Sequence, residues 1–164
     1  MNDVKIITFD KQYKNQVISL ILYIQNIENR IDLSLEEQPD LNDIHASYIA
    51  NGGGFWVALD DNDTVIGTIG LQIKENRCGV LKKLFVEQKY RGREIGLSAQ
   101  LFEHLLDHAI SSNLSTIILD TPASAKRSHS FYKKMGFVEV TLDQLPIPYT
   151  FPDRNSYLLL KKLP

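Results

Sequence analysis

Short apolar runs and longer stretches of helical spacing alternate along this chain. The short runs, which are typical of strands, lie at residues 4–9, 55–59, 64–72, 79–86, 115–120, 137–141 and 156–161. Helices are predicted after Asp10, which can cap the first of them, and over about 39–50, 94–111 and 125–135. This order of elements predicts a mixed α/β sheet with helices on its faces.

Turn residues set the boundaries between these elements. The apolar residues of the first helix cover more than one of its faces, so we expect that helix to be well buried. The glycines at 52–54 end the second helix, residues 60–63 form a hairpin turn, and Gly136 is placed for a left-handed cap. Three prolines make residues 142–155 a loop, and the last strand closes the sheet.

Length and charge narrow the class of protein. The chain has 164 residues, enough for one domain, residues 1–164, with a real core. A net charge of −2 gives no reason to expect nucleic acid or an anionic membrane as partner. The longest apolar run, residues 17–24, is too short to span a bilayer, and the first residues show no signal-peptide pattern. The single cysteine, Cys78, reads as a small apolar strand residue, and a cytoplasmic location is expected.

The most informative stretch is a basic turn between a predicted strand and the helix after it, LKKLFVEQKYRGREIGLS at residues 81–98. The first N–H groups of a helix have no partner within it and attract anions. Glycine lets the backbone approach a phosphate without a side chain in the way. Taken alone, this turn fits a phosphate cradle and an ordinary surface turn equally well.

A second motif, FYKKMGF at residues 131–137, follows about thirty-five residues later. A basic glycine turn followed at that distance by such a segment resembles the GCN5-related N-acetyltransferase (GNAT) superfamily, with the clear motifs covering roughly residues 65–138. The resemblance implies a mostly antiparallel central sheet with one splayed parallel strand pair and flanking helices. It also implies an enzyme that moves an acetyl group from acetyl-CoA directly to a primary amine, since no thiol or serine is placed as a nucleophile.

The resemblance carries a set of cofactor-binding residues onto this sequence. The strand residues would pair with the pantetheine arm, and the N–H of Val86 would polarise the thioester carbonyl. The turn and the helix start would hold the pyrophosphate. Glu94 stands where the family usually has glycine, and we expect it to point outward and donate only its N–H. The complete set is Leu84, Phe85, Val86, Arg91, Gly92, Arg93, Glu94, Ile95, Gly96, Leu97, Ser128 and Tyr132.

Tyr132 is the general acid that the resemblance implies. A tyrosine normally titrates near ~10, so at neutral pH it keeps a proton that it can give to a departing thiolate. The alternative is a half-buried tyrosine that only packs against its neighbours. Ala125 stands where the family commonly has a cofactor-binding asparagine, and Ser128 could partly replace that hydrogen bond.

The general base is left unassigned. Val80 stands where related enzymes often have a glutamate, and Glu75, Glu28 and a water chain stay open. His104 and His108 are four residues apart on one helix, a spacing that can bind metal, but no third ligand is evident. We therefore expect the two histidines to pack at the helix edge, and no metal is predicted.

The acceptor, a small-molecule or peptide amine, is expected to contact the first two helices, their linker and the late loop. Clustered carboxylates there would suit a cationic amine, or simply form a solvated face. The residues concerned are Tyr23, Glu28, Glu36, Glu37, Asp40, Asp43, Asp143, Tyr149, Phe151 and Asp153. The alternative functions are a non-catalytic acyl-CoA sensor of the same fold and, more remotely, an unrelated nucleotide- or partner-binding α/β domain. Homodimers are frequent in the superfamily, but no residue pattern specifies one.

Overall fold

One seven-stranded sheet organises the computed structural model, which describes residues 4–92, 96–150 and 155–164. The strands follow the order β1-β2-β3-β4-β5-β7-β6, and every neighbouring pair is antiparallel except β4 with β5. The predicted mixed sheet is confirmed, although the last strand lies inside the sheet and β6 forms the edge. The strands are β1 Lys5–Thr8, β2 Gly54–Leu59, β3 Val65–Lys74, β4 Cys78–Val86, β5 Thr116–Pro122, β6 Val138–Val140 and β7 Ser156–Lys162.

In the described part of the chain, three α-helices accompany the sheet: α1 Lys14–Leu22, α2 Leu97–Ser111 and α3 Lys126–Lys134. A 3₁₀ turn, Lys11–Tyr13, precedes α1, and Asp10 caps it by accepting the N–H of Gln12 at 3.0 Å. Helix α1 continues into a π-helical turn, Tyr23–Glu28. None of the helices within the described ranges has the length and apolar character needed to cross a bilayer.

Helix α1 is less buried than its sequence suggests. Val17 and Ile21 are fully buried, but the other apolar side chains of α1 are half-buried. The helix packs on one face of the sheet, so its outer side meets solvent whatever its composition. The expectation of burial on more than one face is therefore wrong.

The helix expected over residues 39–50 is two separate turns, a 3₁₀ turn Pro39–Asn42 and a π-helical turn His45–Ile49. Asp43 separates them with φ −144° and ψ 84°, and its carboxylate accepts the N–H of Ala46 at 3.0 Å. A short acidic side chain that bonds to the backbone ahead of it favours a fresh start over a continuing helix. The break brings the carboxylate of Asp40 to 2.5 Å from the hydroxyl of Tyr48.

The two faces of the sheet carry different cores. On one face, Leu71 and Leu81 pack with the apolar stripe of α2, including Leu101 and Leu105. On the other, α1 and the turns at 39–49 cover a second core that contains Tyr48, Phe55 and Val57. A smaller cluster under the loop at 142–150 contains Cys78, Val80, Ile118, Ile147 and Leu160. Cys78 is fully buried in β4, which confirms it as an apolar strand residue.

β4 bulges at Lys83 and then leaves β5. Lys83 has φ 59°, and the register between β3 and β4 shifts between Thr68 and Gly70, as a β-bulge requires. The hydroxyl of Thr68 donates to the carbonyl of Lys83 at 2.7 Å and holds the bulge. β4 and β5 pair only through Cys78, Gly79 and Val80 with residues 116–118. The parallel pair is therefore open beyond Val80.

Candidate functional site

The gap between β4 and β5 is the centre of the candidate site. Beyond Val80, β4 pairs with β3 alone, and β5 beyond Ile118 pairs with β7 alone. A strand edge inside a sheet therefore keeps free backbone groups that an extended ligand can pair with. We call Gly92, Gly96, Leu97, Ser128 and Tyr132 the helix side of this gap, and Asp40, Lys82, Lys83, Asp120 and Tyr149 the loop side.

The helix side begins with the turn that leads into α2. Gly92 has φ +124°, and a Cβ at that position would meet no described atom within 4 Å, so the backbone there borders open space. Gly96 has φ 60° and ψ 29° and stands before the first turn of α2, which no described side chain caps. The first N–H groups of α2 are thus available to an anion. Arg93, Glu94 and Ile95 lie outside the described residues.

Arg91 turns away from this open space. Its Nε donates to the carbonyl of Val86 at 2.7 Å, and its terminal nitrogen donates to Glu28 at 2.6 Å. Both side chains of the ion pair are largely shielded, with 23% and 19% of their area exposed. Arg91 therefore ties the basic turn to β4 and to the π-helical turn after α1, and its charge is already matched by a carboxylate.

Tyr132 lies on α3, buried, with 7% of its area exposed. Its ring makes edge contacts with Phe131 and Phe137 at centroid distances of 5.5 and 5.6 Å. Burial, and then the negative charge of Asp120, raises the pKa of Tyr132 well above that of a free tyrosine. The interaction places Tyr132 within electrostatic reach of Asp120, which lies past Ile118, the last residue of β5 that pairs with β4. Tyr132 therefore borders the gap as a protonated phenol.

The other residues predicted on α3 lie near its start. Ser128 is half-buried one turn before Tyr132. Ala125 is the N-cap of α3 and makes no side-chain hydrogen bond there. His129, on the same turn, is committed to the carbonyl of Pro122 at 2.8 Å. The start of α3 thus offers backbone donors and one hydroxyl, but no amide side chain.

On the loop side, Lys83 is held among polar side chains from the turns at 38–48. Its ammonium donates to the amide oxygen of Gln38 and lies 3.8 Å from Asp40. Gln38 exchanges two amide hydrogen bonds with Gln25, at 2.9 and 2.8 Å. Burial lowers the pKa of Lys83, while the carboxylates of Asp40 and Asp120 oppose that shift. The lysine is therefore fixed in place by partners about forty residues earlier in the chain.

Asp120 and Tyr149 form the second pair on the loop side. The hydroxyl of Tyr149 donates to one carboxylate oxygen of Asp120. Burial and the charge of Asp120 raise the pKa of Tyr149 above that of a free tyrosine, so it stays a donor at neutral pH. The bond connects the loop at 142–150 to β5 at the point where β5 has left β4.

Sequence reasoning missed Asp120 and Lys83. Asp120 ends the buried run STIILD, and an acidic residue at the end of a buried strand is a signal that could have singled it out. Lys83 gave no such signal, because its position depends on a positive φ that only the bulge creates. Among the carboxylates expected near the acceptor, Glu37 bonds to Ser34 and Asp43 caps a turn, so both serve local structure. Phe151 and Asp153 lie outside the described residues.

The residues considered as a general base differ in their burial and in their partners. Val80 is fully buried, Glu75 is exposed, and Glu28 is paired with Arg91. His108 contacts the carbonyl of Gly52 at 2.9 Å and the ring of Trp56, which confirms helix-edge packing. Asp120, two residues past the last β4–β5 pair, is a further carboxylate at the gap.

Comparison with known proteins gives consistent results. A sequence profile described as the acetyltransferase (GNAT) family matches residues 21–137. An acetyltransferase from Streptococcus agalactiae 2603 is 40% identical, with a TM-score of 0.90 over 99% of this chain and 98% of that one. A GNAT-family acetyltransferase from Staphylococcus aureus Mu50 is 30% identical, with a TM-score of 0.94 over 99% and 100% of the two chains.

A curated relative is larger than this chain. N-acetylaspartate synthetase from Danio rerio is 31% identical over 103 residues, which are 62% of this chain and 36% of that protein. This chain thus spans less than two thirds of the length of the curated relatives it matches.

Proposed function

The chain belongs to the acetyltransferase (GNAT) family, and we propose that it moves the acetyl group of acetyl-CoA directly to an amine. Members of this family use acetyl-CoA as the acetyl donor. One observation carries the proposal for this chain: the parallel strands part beyond Val80 and Ile118, with the buried phenol of Tyr132 beside the opening.

The residues around the gap fit the shape and charge of acetyl-CoA. The free edge of β4 at Leu84, Phe85 and Val86 suits an arm that carries amide groups. The open space at Gly92 and the uncapped start of α2 suit a diphosphate. We propose these segments, together with residues 93–96, Leu97 and Ser128, as the binding surface. Arg91 would act there by positioning the turn, because its guanidinium is bound to Glu28.

When bound, acetyl-CoA supplies a thioester whose carbonyl carbon accepts the amine and whose sulfur departs. The N–H of Val86 is proposed to donate to the thioester oxygen, where negative charge develops. Tyr132 is proposed to give its proton to the sulfur. Its raised pKa keeps it protonated across the physiological range, so the proton is present when needed. Cys78 is buried and its pKa is raised to about 11, which leaves no thiolate to act as a covalent nucleophile.

We propose further that the chain works as a single domain in the cytoplasm, on a small-molecule or peptide amine. Its single cysteine requires no oxidising compartment. A homodimer stays a prediction from the frequency of dimers in the superfamily.

A non-catalytic acyl-CoA sensor is the second candidate. Val80 favours it, because a buried valine stands where related enzymes often carry a base and packs there against the small cluster under the loop. Binding without turnover would follow if no other group accepted the proton of the amine.

Thiol release separates the two functions. We expect acetyl-CoA to raise the melting temperature, as any ligand of the native state does, and to yield free thiol when amines are added. Binding without release from a broad amine panel supports the sensor. No change in melting temperature at millimolar acetyl-CoA removes both candidates.

A further inference from the structure

A cavity of about 260 Å³ opens between the β3–β4 hairpin and residues 147–150. Gln72, Val80 and Lys82 line it, and they alternate with Leu71 and Leu81, which pack toward α2. The cavity therefore lies on the sheet face opposite α2. It is smaller than the roughly 300–1,000 Å³ of pockets that hold drug-sized ligands, so a small molecule suits it.

Two lysines and one glutamate are the charged residues that line this cavity, so positive charge exceeds negative charge by one in its lining. Lys82 is half-buried at its wall, and Lys74 and Glu75 lie at its outer end. Within the described residues, neither Lys82 nor Lys74 forms an ion pair. Two of the carboxylates expected to attract a cationic amine are engaged elsewhere: Glu28 holds Arg91, and Asp40 holds Tyr48 and Lys83.

Asp120 lies across the gap from the cavity wall and is connected to it through Tyr149. Val80 pairs with Ile118, and two residues further along each strand come Lys82 and Asp120, on the same face but across the open gap. Tyr149 makes this connection, because it lines the cavity and donates to one oxygen of Asp120. The other oxygen of Asp120 bonds to no described residue.

We infer that the acceptor is a small amine that also carries a carboxylate, such as an amino acid. Its ammonium binds Asp120 in the gap, and its carboxylate binds Lys82, with Lys74 adding charge at the outer end. This inference rests on the proposed function, since it assigns the acceptor of that same reaction. The orientation follows from Asp120, which lies two residues past the last residue of β5 that pairs with β4 and so stands at the gap where the thioester is proposed to lie.

Counting the protons in the reaction shows where Asp120 would act as a proton acceptor. Acetylation of an ammonium forms the C–N bond, breaks the C–S bond and removes two protons from nitrogen. Tyr132 gives a proton to the departing sulfur, and one of the two protons from the nitrogen then restores Tyr132. The other leaves for solvent, and Asp120 is placed to take it first.

Matched pairs of amines test the carboxylate. With saturating acetyl-CoA, thiol release is measured for aspartate against its α-amide, for alanine against alaninamide, and for the cationic amine spermidine. We expect kcat/KM to be at least about tenfold higher for each acid than for its amide, equivalent to roughly 1.4 kcal/mol. Equal rates, or a preference for the amide or spermidine, overturn the inference while leaving the acetyltransferase intact. No thiol release from any amine instead defeats the proposed function.

Variants of Lys82 and Asp120 test which residue binds each end of the acceptor. Lys82→Met is expected to raise KM for the acid about tenfold with kcat nearly kept and to abolish the preference over the amide, whereas Lys82→Arg retains it. Asp120→Asn should lower turnover of acid and amide alike. Lys162→Met, an exposed lysine on β7, is the matched control and should change neither. The acid, but not its amide, should also raise the melting temperature of the wild type, and Lys82→Met should lose that shift. An unchanged preference in folded Lys82→Met contradicts the assignment.

Discussion

The helix side and the loop side of the gap differ in the chemical groups that they present. The helix side presents backbone, a glycine turn and a helix start, together with the hydroxyl of Ser128 and the phenol of Tyr132. The loop side presents charged side chains, Lys82, Lys83, Asp40 and Asp120, several of them paired with each other or with the loop. Backbone donors recognise any extended, phosphorylated ligand, whereas paired charges recognise one arrangement of charge.

The two sides also differ in how far apart along the chain their contacting residues lie. The helix side depends on local chain geometry and tolerates change in side chains that do not face the ligand. The loop side depends on contacts such as Lys83 with Gln38 and Asp120 with Tyr149, between residues 45 and 29 positions apart.

Replacing Tyr132 is the strongest test of the helix side. Tyr132→Phe removes the proposed proton donor, so we expect kcat to fall by roughly 10²–10⁴-fold while the KM for acetyl-CoA changes little. Steady-state kinetics with the best amine measures both constants. The control Tyr13→Phe alters another buried tyrosine far from the gap and should keep full activity. An undiminished kcat would remove Tyr132 from the role of general acid.

Breaking an ion pair on the loop side should lower the stability of the folded chain. Asp40→Asn leaves the ammonium of Lys83 shielded without its carboxylate, and we expect a loss of about 2 kcal/mol in the free energy of unfolding. Urea denaturation measures the loss. The exposed pair of Lys5 with Asp63, each side chain 65% exposed, provides the control, and Asp63→Asn should cost less than about 0.5 kcal/mol. Equal effects from the two variants would mean that the shielded pair contributes no more than a surface pair.

Gly92→Ala tests whether the open space at the glycine turn receives the cofactor. The new methyl group would occupy space in which the ligand is proposed to lie, so we expect the Kd for acetyl-CoA to rise about tenfold, equivalent to 1.4 kcal/mol. Calorimetric titration measures the affinity. Gly52→Ala, also at positive φ, has the same backbone strain but lies away from the gap and should leave affinity unchanged. Similar affinities for both variants would place the diphosphate elsewhere.

The smallest expected effect lies outside both sides, at Cys78. Its pKa is raised to about 11 in the folded chain, above the ordinary value of 9.0, because burial opposes the thiolate. The folded state therefore keeps its proton where the unfolded state loses it, and stability falls as pH rises from about 9 toward 11. Between pH 8 and pH 10 we expect this thiol to account for a loss of about 1 kcal/mol. Cys78→Ala, followed by urea denaturation at both values, should show a correspondingly smaller decrease, and an identical decrease would exclude the thiol as its source.

The sequence by itself determined the strands and the turns that border the gap, because the signals for those elements are local. Apolar runs gave all seven strands, the turn at 91–97 marked the start of α2, and FYKKMGF marked the end of α3, where Tyr132 lies. Asp10 and Gly136 were correctly read as a cap and a positive-φ turn because each acts on its own neighbours. Local backbone chemistry needs only a few adjacent residues, and one sequence supplies them.

Tertiary structure alone decided the loop side. The bulge at Lys83 arises from pairing with β3, and it aims that lysine at Gln38 and Asp40 rather than along the strand. Arg91, expected to face an anion, is turned to Glu28 by a π-helical turn sixty-three positions earlier in the chain. Asp43 divided the second predicted helix by a hydrogen bond that competes with helical propensity. Charges from distant segments are brought together by the tertiary fold, so spacing along the chain does not reveal their pairing.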